Sequence, residues 1–458
     1  MCLTSNGKNT TEQVEKQIFG PMNMTEDPIQ AASLNHASVQ VGVCDLNGVT
    51  RGKRIPRAQL DKALGGGMRM PLSVSALDIW GRDIEGSSIV FEDGDGDGIC
   101  QPIRTDAIAA PWLGPDVDLV PVWMFTEAGT PSPIDPRQAL AAVLNRYAAR
   151  NLTPVIATEL EFYLAPLSER EAFTSEGVLS LHQLNVVAPF LDDVYAACES
   201  HGIPADAAIS ECGAGQFEIN LLHRDDAMLA ADDAVFFKSI VKGCARAHGY
   251  AANFMAKPNG TAPGNGLHAH FSLLDKDGGN VFDDSSDQGS DTLRAAVAGV
   301  MAALAESTLI FAPHFNSFRR LRPNSHAPTA MTWGYENRTA AVRIPGGSPK
   351  ARRIEHRVAG ADANPYLVLA AVLGAALHGI EHSLTPPAAI DGNSYAADAP
   401  QLPSDWGPAI SAFEDGAIMA EIFPDKLREV FVQGKRQEQA RFLDKVTAFE
   451  RETYADHL

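Results

Sequence analysis

The segment Glu159-Leu160-Glu161-Phe162-Tyr163-Leu164 constrains this chain more than any other. In a strand, residues i and i+2 share a face. Glu159 and Glu161 therefore project together, while Leu160 and Phe162 turn toward a core. Two carboxylates on one partly buried face repel unless protons or cations lie between them, and oxygen ligands select Mg²⁺ or Mn²⁺. A solvated strand face would show the same alternation, so this segment alone leaves both readings open.

Three further segments bear on the choice. Glu211 and Glu218 flank a Gly-rich turn, Cys212-Gly213-Ala214-Gly215. In Asn265-Gly266-Leu267-His268-Ala269-His270-Phe271-Ser272, alternation puts His268, His270 and Ser272 on one face, where paired imidazoles can bind metal or touch phosphate. A lone histidine there would read as structural. The third segment is basic: Arg319, Arg320, Arg322, Arg338 and Arg343 precede Lys350-Ala351-Arg352-Arg353-Ile354-Glu355-His356-Arg357. Alternation sets Arg353, Glu355 and Arg357 side by side, and guanidinium forks suit phosphate and carboxylate oxygens. A surface salt-bridge ladder is the competing reading. No GxxxxGK[ST] occurs, and no GxGxxG opens a helix after a strand, so any ATP is held without a P-loop. Asp93-Gly94-Asp95-Gly96-Asp97-Gly98 resembles half of a calcium loop, but Arg104 stands where a bidentate Glu is needed, so an acidic surface loop is expected.

Bulk properties narrow the field. With 37 basic and 57 acidic residues the formal charge is −20, which argues against nucleic acid and mildly favours cationic small molecules. The six cysteines form no CxxC, so reduced thiols and a cytoplasmic location are expected. No run of 18 apolar residues predicts a membrane span, and the polar N-terminus lacks an apolar signal core. Residues 1–35 read as a flexible arm, 36–130 as a small domain of hairpins and 131–458 as a second, larger domain. Strands are expected at 38–45, 155–164 and 265–274, with a turn at Leu46-Asn47-Gly48. Asp135-Pro136 predicts a helix start. Other helices are expected at 232–248, with a Lys238–Lys242 polar face, and at 293–311, 364–379 and 427–454.

In their order and composition, ELEFYL, ECGAGQFEINL, GNGLHAHFSL, NSFRRLRPNSHAPTAMTWGYENRTAAVRIP and KARRIEHRVAGADANPYL resemble the glutamine synthetase superfamily of the bacterial type I kind. The resemblance runs from about residue 38 to the end of the chain. It implies an α+β protein: an N-terminal β-grasp domain, and a catalytic domain whose curved antiparallel sheet forms a funnel-shaped site. It also implies a homo-oligomer, a dodecamer in most members, with active sites between subunits. ATP is the co-substrate, and each site holds two or three Mg²⁺ or Mn²⁺ ions. Carried over by position, Glu161, Glu211 and Glu218 match ligands of the metal nearer glutamate. Glu159, His268 and Glu355 match ligands of the metal nearer the phosphates. Gly264, Arg320 and Arg357 match glutamate-holding positions, and Arg338, Arg343 and Arg353 match arginines around the phosphates. Asp206, His270, Ser272 and Lys350 match nucleotide-side positions.

One position departs from the family. Where enzymes that use ammonium carry a Glu after the RLxP segment, this chain has His326. A His can still accept a proton near neutral pH and leaves room for an alkyl group. The Asp that the family supplies from a DGSS motif has no clear counterpart near Asp78. The resemblance is greatest to γ-glutamylpolyamine synthetases. That implies ligation of glutamate to putrescine, spermidine or spermine in polyamine catabolism or nitrogen assimilation, with ammonium or a monoamine such as ethanolamine or methylamine as alternatives. Some relatives are controlled by adenylylation of a Tyr near the position of Tyr395. The motif around that Tyr is absent, so no such control is expected.

Overall fold

The computed structural model describes residues 37–167, 173 and 177–458, and the arm expected at 1–35 lies outside them. Val-rich alternation sets the first sheet. β1 (Ser38–Cys44) turns into β2 (Thr50–Pro56), where Asp45 Oδ1 accepts from the Asn47 and Val49 N–H groups at 2.9 and 2.8 Å. β3 (Met68–Pro71), β4 (Asp97–Pro102), β5 (Ile108–Ala109) and β6 (Val117–Phe125) complete the order β2-β1-β6-β4-β3, with β5 on β6. β1 and β6 run parallel. Val39, Val41 and Val43 pack with Val120, Val122 and Met124 in a core of their own, which the Leu60–Leu64 helix helps to cover. The other face sends Cys44 and Leu119 into the main core. We propose that this unit is the expected β-grasp domain, ending near residue 130. The acidic 93–98 loop is stitched to it by Asp95, which accepts from the Ser73 N–H and hydroxyl.

Asp135 caps the Pro136–Ala148 helix and also accepts from the Met124 N–H at 2.6 Å, fixing the helix to β6. Beyond it lies the second sheet: β7 (Thr153–Pro166), β8 (Ala205–Ser210), β9 (Gln216–Arg224), β10 (Tyr250–Asn253), β11 (Leu267–Leu274), β12 (Trp333–Tyr335), β13 (Val342–Ile344) and β14 (Ile354–His356). Its order is β12-β13-β14-β11-β7-β9-β8, with β10 pairing the far end of β7. All pairs are antiparallel except β12–β13. Register shifts at Ile156/Thr158 and Ala205/Ala208 bend it, as bulges do.

β7 alternates strictly: Ile156, Leu160, Phe162 and Leu164 are buried, while Glu159 and Glu161 are half-buried on the opposite face. Burial of Leu160 and Phe162 contributes roughly 1.5–3 kcal/mol each. They join one core with helices Ala227–Ala247, Asp291–Phe311 and Pro365–Glu381. By length and composition Asp291–Phe311 could cross a bilayer, but 78% of its apolar window is buried inside this core. It crosses Pro365–Glu381 closely at Gly299 and Gly379: a Cβ on Gly299 would meet the Ala375 carbonyl oxygen at 2.1 Å.

Two details differ from the sequence reading. Lys238 and Lys242 share one face over the Phe254 ring, but Lys238 is only partly exposed and its Nζ donates to the Ala363 carbonyl at 3.2 Å, so this polar stripe turns partly inward. The C-terminal helix is two helices, Asp425–Leu443 and Ala448–Tyr454, because Thr447 and Glu450 form a capping box that restarts the chain.

The Gly299 crossing gives a direct check. Gly299→Ala is expected to destabilise the fold by about 1–3 kcal/mol through overpacking. Thermal unfolding would read this as a lowered midpoint, and an unchanged midpoint would contradict so close a crossing.

Candidate active site

Strand register assembles the site. Across β7–β9, Glu161 lies opposite Glu218. Across β7–β11, Glu159 lies opposite His268, and across β11–β14, His270 lies opposite Glu355. Arg343 faces Glu355 from β13. The ligand atoms of Glu159, His268 and Glu355 all lie within 4.8 Å of one another, and so do those of Glu161, Glu218 and His268. Glu211 stands at the β8–β9 turn, its N–H on the Gln216 carbonyl at 2.9 Å, so it flanks the second group rather than entering it.

The charges in this cluster are out of balance. Burial and then the negative charges of Glu159, Glu161 and Glu211 push the Glu218 carboxyl far up from its ordinary range. Burial and Glu161 push Glu211 up to about 7. Burial would raise Glu159 too, but hydrogen bonds of 3.0 Å from His268 Nδ1 and His270 Nε2 outweigh it and hold this carboxyl well below normal. Glu355 is likewise buried, yet Arg357, His270, His268 and Arg343 together hold it at about 2. Arg343 donates to it at 2.7 Å and Arg357 donates to its other oxygen. Carboxylates that must otherwise take up protons, arranged with one imidazole at ligand spacing, fit hard divalent cations such as Mg²⁺ or Mn²⁺.

Beside the cluster opens a cavity of about 870 Å³, lined by Glu159, Asp206, His270, Ser272, Lys350 and Arg353 together with Asn220, Arg224 and Asn280. The four nucleotide-side positions and Arg353 thus share one chamber. Arg353 Nε donates to His270 Nδ1 at 3.3 Å, and its Nη1 to the Ala351 carbonyl at 3.3 Å. Lys350 and Asp206 are exposed at the rim, whereas Arg343 is buried behind Glu355 and also reaches Glu336 at 3.5 Å.

The expected glutamate side is tightly built. Gly264 must lack a side chain, because a Cβ would lie 2.5 Å from the Ala256 carbonyl oxygen and 2.8 Å from Arg320 Cγ. Arg320 is buried and donates to the Val358 carbonyl at 2.7 Å, which fixes the backbone next to Arg357. Glu161 accepts from the Gly266 N–H at 2.6 Å. His326 is exposed on a loop where it and Asn324 both take φ of 60°, a left-handed conformation that costs a non-Gly residue free energy. Arg338 is exposed, with its charge acting on Glu211.

Some supporting residues escaped the sequence reading. Asn265 is fully buried; it accepts from Gln216 Nε2 at 3.0 Å and donates to the Asn253 and Met255 carbonyls, holding β11 beside β10. An Asn between two glycines ahead of the histidine strand was the available signal. His356 is buried against Phe311, with ring centroids 4.1 Å apart, and burial pushes its imidazole down to about 3, so it is a neutral core residue between Glu355 and Arg357.

With this geometry in view, the comparisons with known proteins are specific. Residues 133–454 match the glutamine synthetase catalytic domain. Gamma-glutamylputrescine synthetase PuuA of Escherichia coli K12 is 36% identical over 91% of each chain. Gamma-glutamylethanolamide synthetase GlnA4 of Streptomyces coelicolor is 32% identical, covering 94% of this chain and 95% of its own. A solved structure of apo GmaS superposes with a TM-score of 0.82 at 30% identity, covering 94% of this chain and all of that one. The carboxylate-lined sheet is that of an α+β ligase fold. The chain belongs to the glutamine synthetase family.

The raised carboxyls make stability depend on pH and metal. Glu211 moves from an ordinary 4.5 to about 7 on folding, so its contribution favours the fold at acid pH and is lost as pH rises through about 7. Divalent metal favours the ionised form and should remove that loss. Thermal unfolding with EDTA or Mg²⁺ is expected to show stabilisation by Mg²⁺ that grows between about pH 5 and about pH 8. An equal Mg²⁺ shift at both ends would count against the carboxylate cluster as the metal site.

Proposed function

We propose that this chain is an ATP-dependent glutamate–amine ligase that forms γ-glutamyl phosphate and passes the γ-glutamyl group to an organic amine, with a polyamine such as putrescine, spermidine or spermine as acceptor. The observation that carries the ligase reading is the register-built carboxylate cluster opening directly onto the cavity lined by Lys350 and Arg353. It supports one chamber for ATP, with its phosphates at the Glu159–Glu355 end and glutamate beyond them.

In this reading Glu159, His268 and Glu355 hold metal on the phosphate side, and Glu161, Glu211 and Glu218 hold it on the glutamate side. Bound Mg²⁺ or Mn²⁺ would supply charge neutralisation for phosphoryl transfer. Arg357 and Arg343 keep Glu355 ionised and in place. Asp206, His270, Ser272 and Lys350 receive the nucleotide, with Arg353, Arg343 and Arg338 around the phosphates. Gly264, Arg320 and Arg357 frame the substrate glutamate, whose side-chain carboxylate attacks the γ-phosphate. The amine nitrogen then attacks the acyl carbon, phosphate leaves, and the amine's proton passes to a base. In this reading His326 takes that proton.

Two features favour an organic acceptor over ammonium. His326 removes a negative charge from the acceptor loop, and full-length similarity extends to relatives named for putrescine and ethanolamine amides. The net charge of −20 suits a polycation. Assembly as a homo-oligomer, a dodecamer with sites between subunits, belongs to the same proposal. Exposed Leu443, Val446 and Phe449 at the C-terminal end support a partner surface there.

Phosphate release from ATP and glutamate across a panel of ammonium, putrescine, spermidine, ethanolamine and methylamine tests the acceptor. Putrescine or spermidine is expected to exceed ammonium in kcat/KM by at least about tenfold; ammonium outperforming every organic amine would contradict the proposal. In the same assay His326→Glu should shift the preference toward ammonium by about tenfold. An unmoved preference would mean that another residue selects the acceptor.

A further inference from the structure

Residues 387–402 form a strap across the active-site loops. Trp333 Nε1 donates to the Pro387 carbonyl at 2.8 Å, and the Ile390 N–H to the Trp333 carbonyl at 2.9 Å. Asn337 Nδ2 donates to the Gly392 carbonyl at 2.8 Å, and the Ser394 N–H to Thr339 Oγ1 at 2.9 Å. Farther on, the Met331 N–H meets the Pro400 carbonyl at 2.7 Å and the Leu402 N–H the Thr329 carbonyl at 2.8 Å. These bonds hold residues 329–339, including both neighbours of Arg338.

Tyr395 does something different. Its hydroxyl donates to the Ala327 carbonyl at 2.9 Å, immediately after His326. The loop there has no strand partner among the described residues, and Asn324 and His326 sit in the left-handed region. The Ser325 hydroxyl lies 2.9 and 2.6 Å from the Arg320 and Arg322 carbonyls, and it also meets the Tyr395 side chain, as the His326 backbone does. The Tyr395 ring lies within electrostatic reach of Arg320 and Arg357, so the tether is made at the edge of the site rather than away from it.

We propose that Tyr395 is a positioning residue for the acceptor step, latching the His326 loop over the acyl phosphate. This rests on the reading that His326 borders the acceptor. Without the hydroxyl, the Ala327 carbonyl loses its donor and the loop spends more time open. The acceptor then binds less well, and water enters. A water oxygen attacks the acyl carbon, the bond to phosphate breaks, and glutamate and phosphate are released with a proton lost to solvent, so ATP is spent without amide.

Tyr395→Phe separates this role from general support. Amine KM is expected to rise about three- to tenfold, the cost of one hydrogen bond, while KM for ATP and for glutamate stay within about twofold. The ratio of ADP to amide should rise above one. Ser325→Ala, which removes the hydroxyl that ties the same loop to Arg320, Arg322 and Tyr395, should give the same split if Tyr395→Phe folds poorly. An unchanged amine KM with a ratio of one, or a parallel rise of all three KM values, would overturn the latch. Each assay is run with ammonium and with putrescine. A wild type that prefers ammonium sinks the polyamine reading, whereas the absence of a split with either acceptor sinks the latch.

Discussion

Mutual repulsion among Glu159, Glu161, Glu211 and Glu218 is the constraint on which the rest of this structure depends. Their carboxyls are half-buried or buried, three on one face of a bent sheet and Glu211 in the turn beside it, where an uncompensated charge costs several kcal/mol. Each neighbouring element offsets part of that cost. β11 brings His268 and His270 to Glu159, while β13 brings Arg343, and the residue just after β14 brings Arg357, to Glu355. What remains is a shortfall of positive charge on the Glu211–Glu218 side, where the carboxyls are driven toward protonation. A site with that shortfall, opening onto a polar chamber with arginine and lysine along its wall, is suited to cations and phosphates together.

The same constraint makes register decisive. Slipping β7 by one residue against β9 or β11 would turn Glu159 and Glu161 into the core and Leu160 and Phe162 toward the chamber. Apolar packing on one face thus specifies chemistry on the other. The core formed by Leu160, Phe162 and the three long helices does more than stabilise the fold; it holds the carboxylates at ligand distance from His268.

Period-two patterns were therefore the legible part of the sequence. Glu159 with Glu161, His268 with His270, and Arg353 with Glu355 and Arg357 could each be assigned to one face before any coordinates. The pairing between these strands could not, because register is set by contacts about a hundred residues apart, such as Glu159 with His268. β8 passed unnoticed because its residues are small or polar, Ala205-Asp206-Ala207-Ala208, and all of it but Ser210 is exposed or half-buried. The restart of the C-terminal helix hid in a four-residue capping box inside an otherwise continuous helical pattern. The loop around His326 shows the opposite case: its residue could be aligned, but its left-handed backbone and its tether to Tyr395 came only with the fold.

In the proposed reading, rigid strands carry the phosphate and metal chemistry, and a strained loop held by side chains borders the acceptor. At the centre of the proposed function is the activation of the glutamate side chain by phosphoryl transfer. Isotope tracing tests it most directly: glutamate labelled with ¹⁸O in both side-chain carboxylate oxygens is turned over with ATP and putrescine, and the released phosphate is weighed. Attack of that carboxylate on the γ-phosphate transfers one labelled oxygen to phosphate for each amide formed. Amide formed with unlabelled phosphate, the lost carboxylate oxygen appearing in water instead, would contradict acyl phosphate formation at this site.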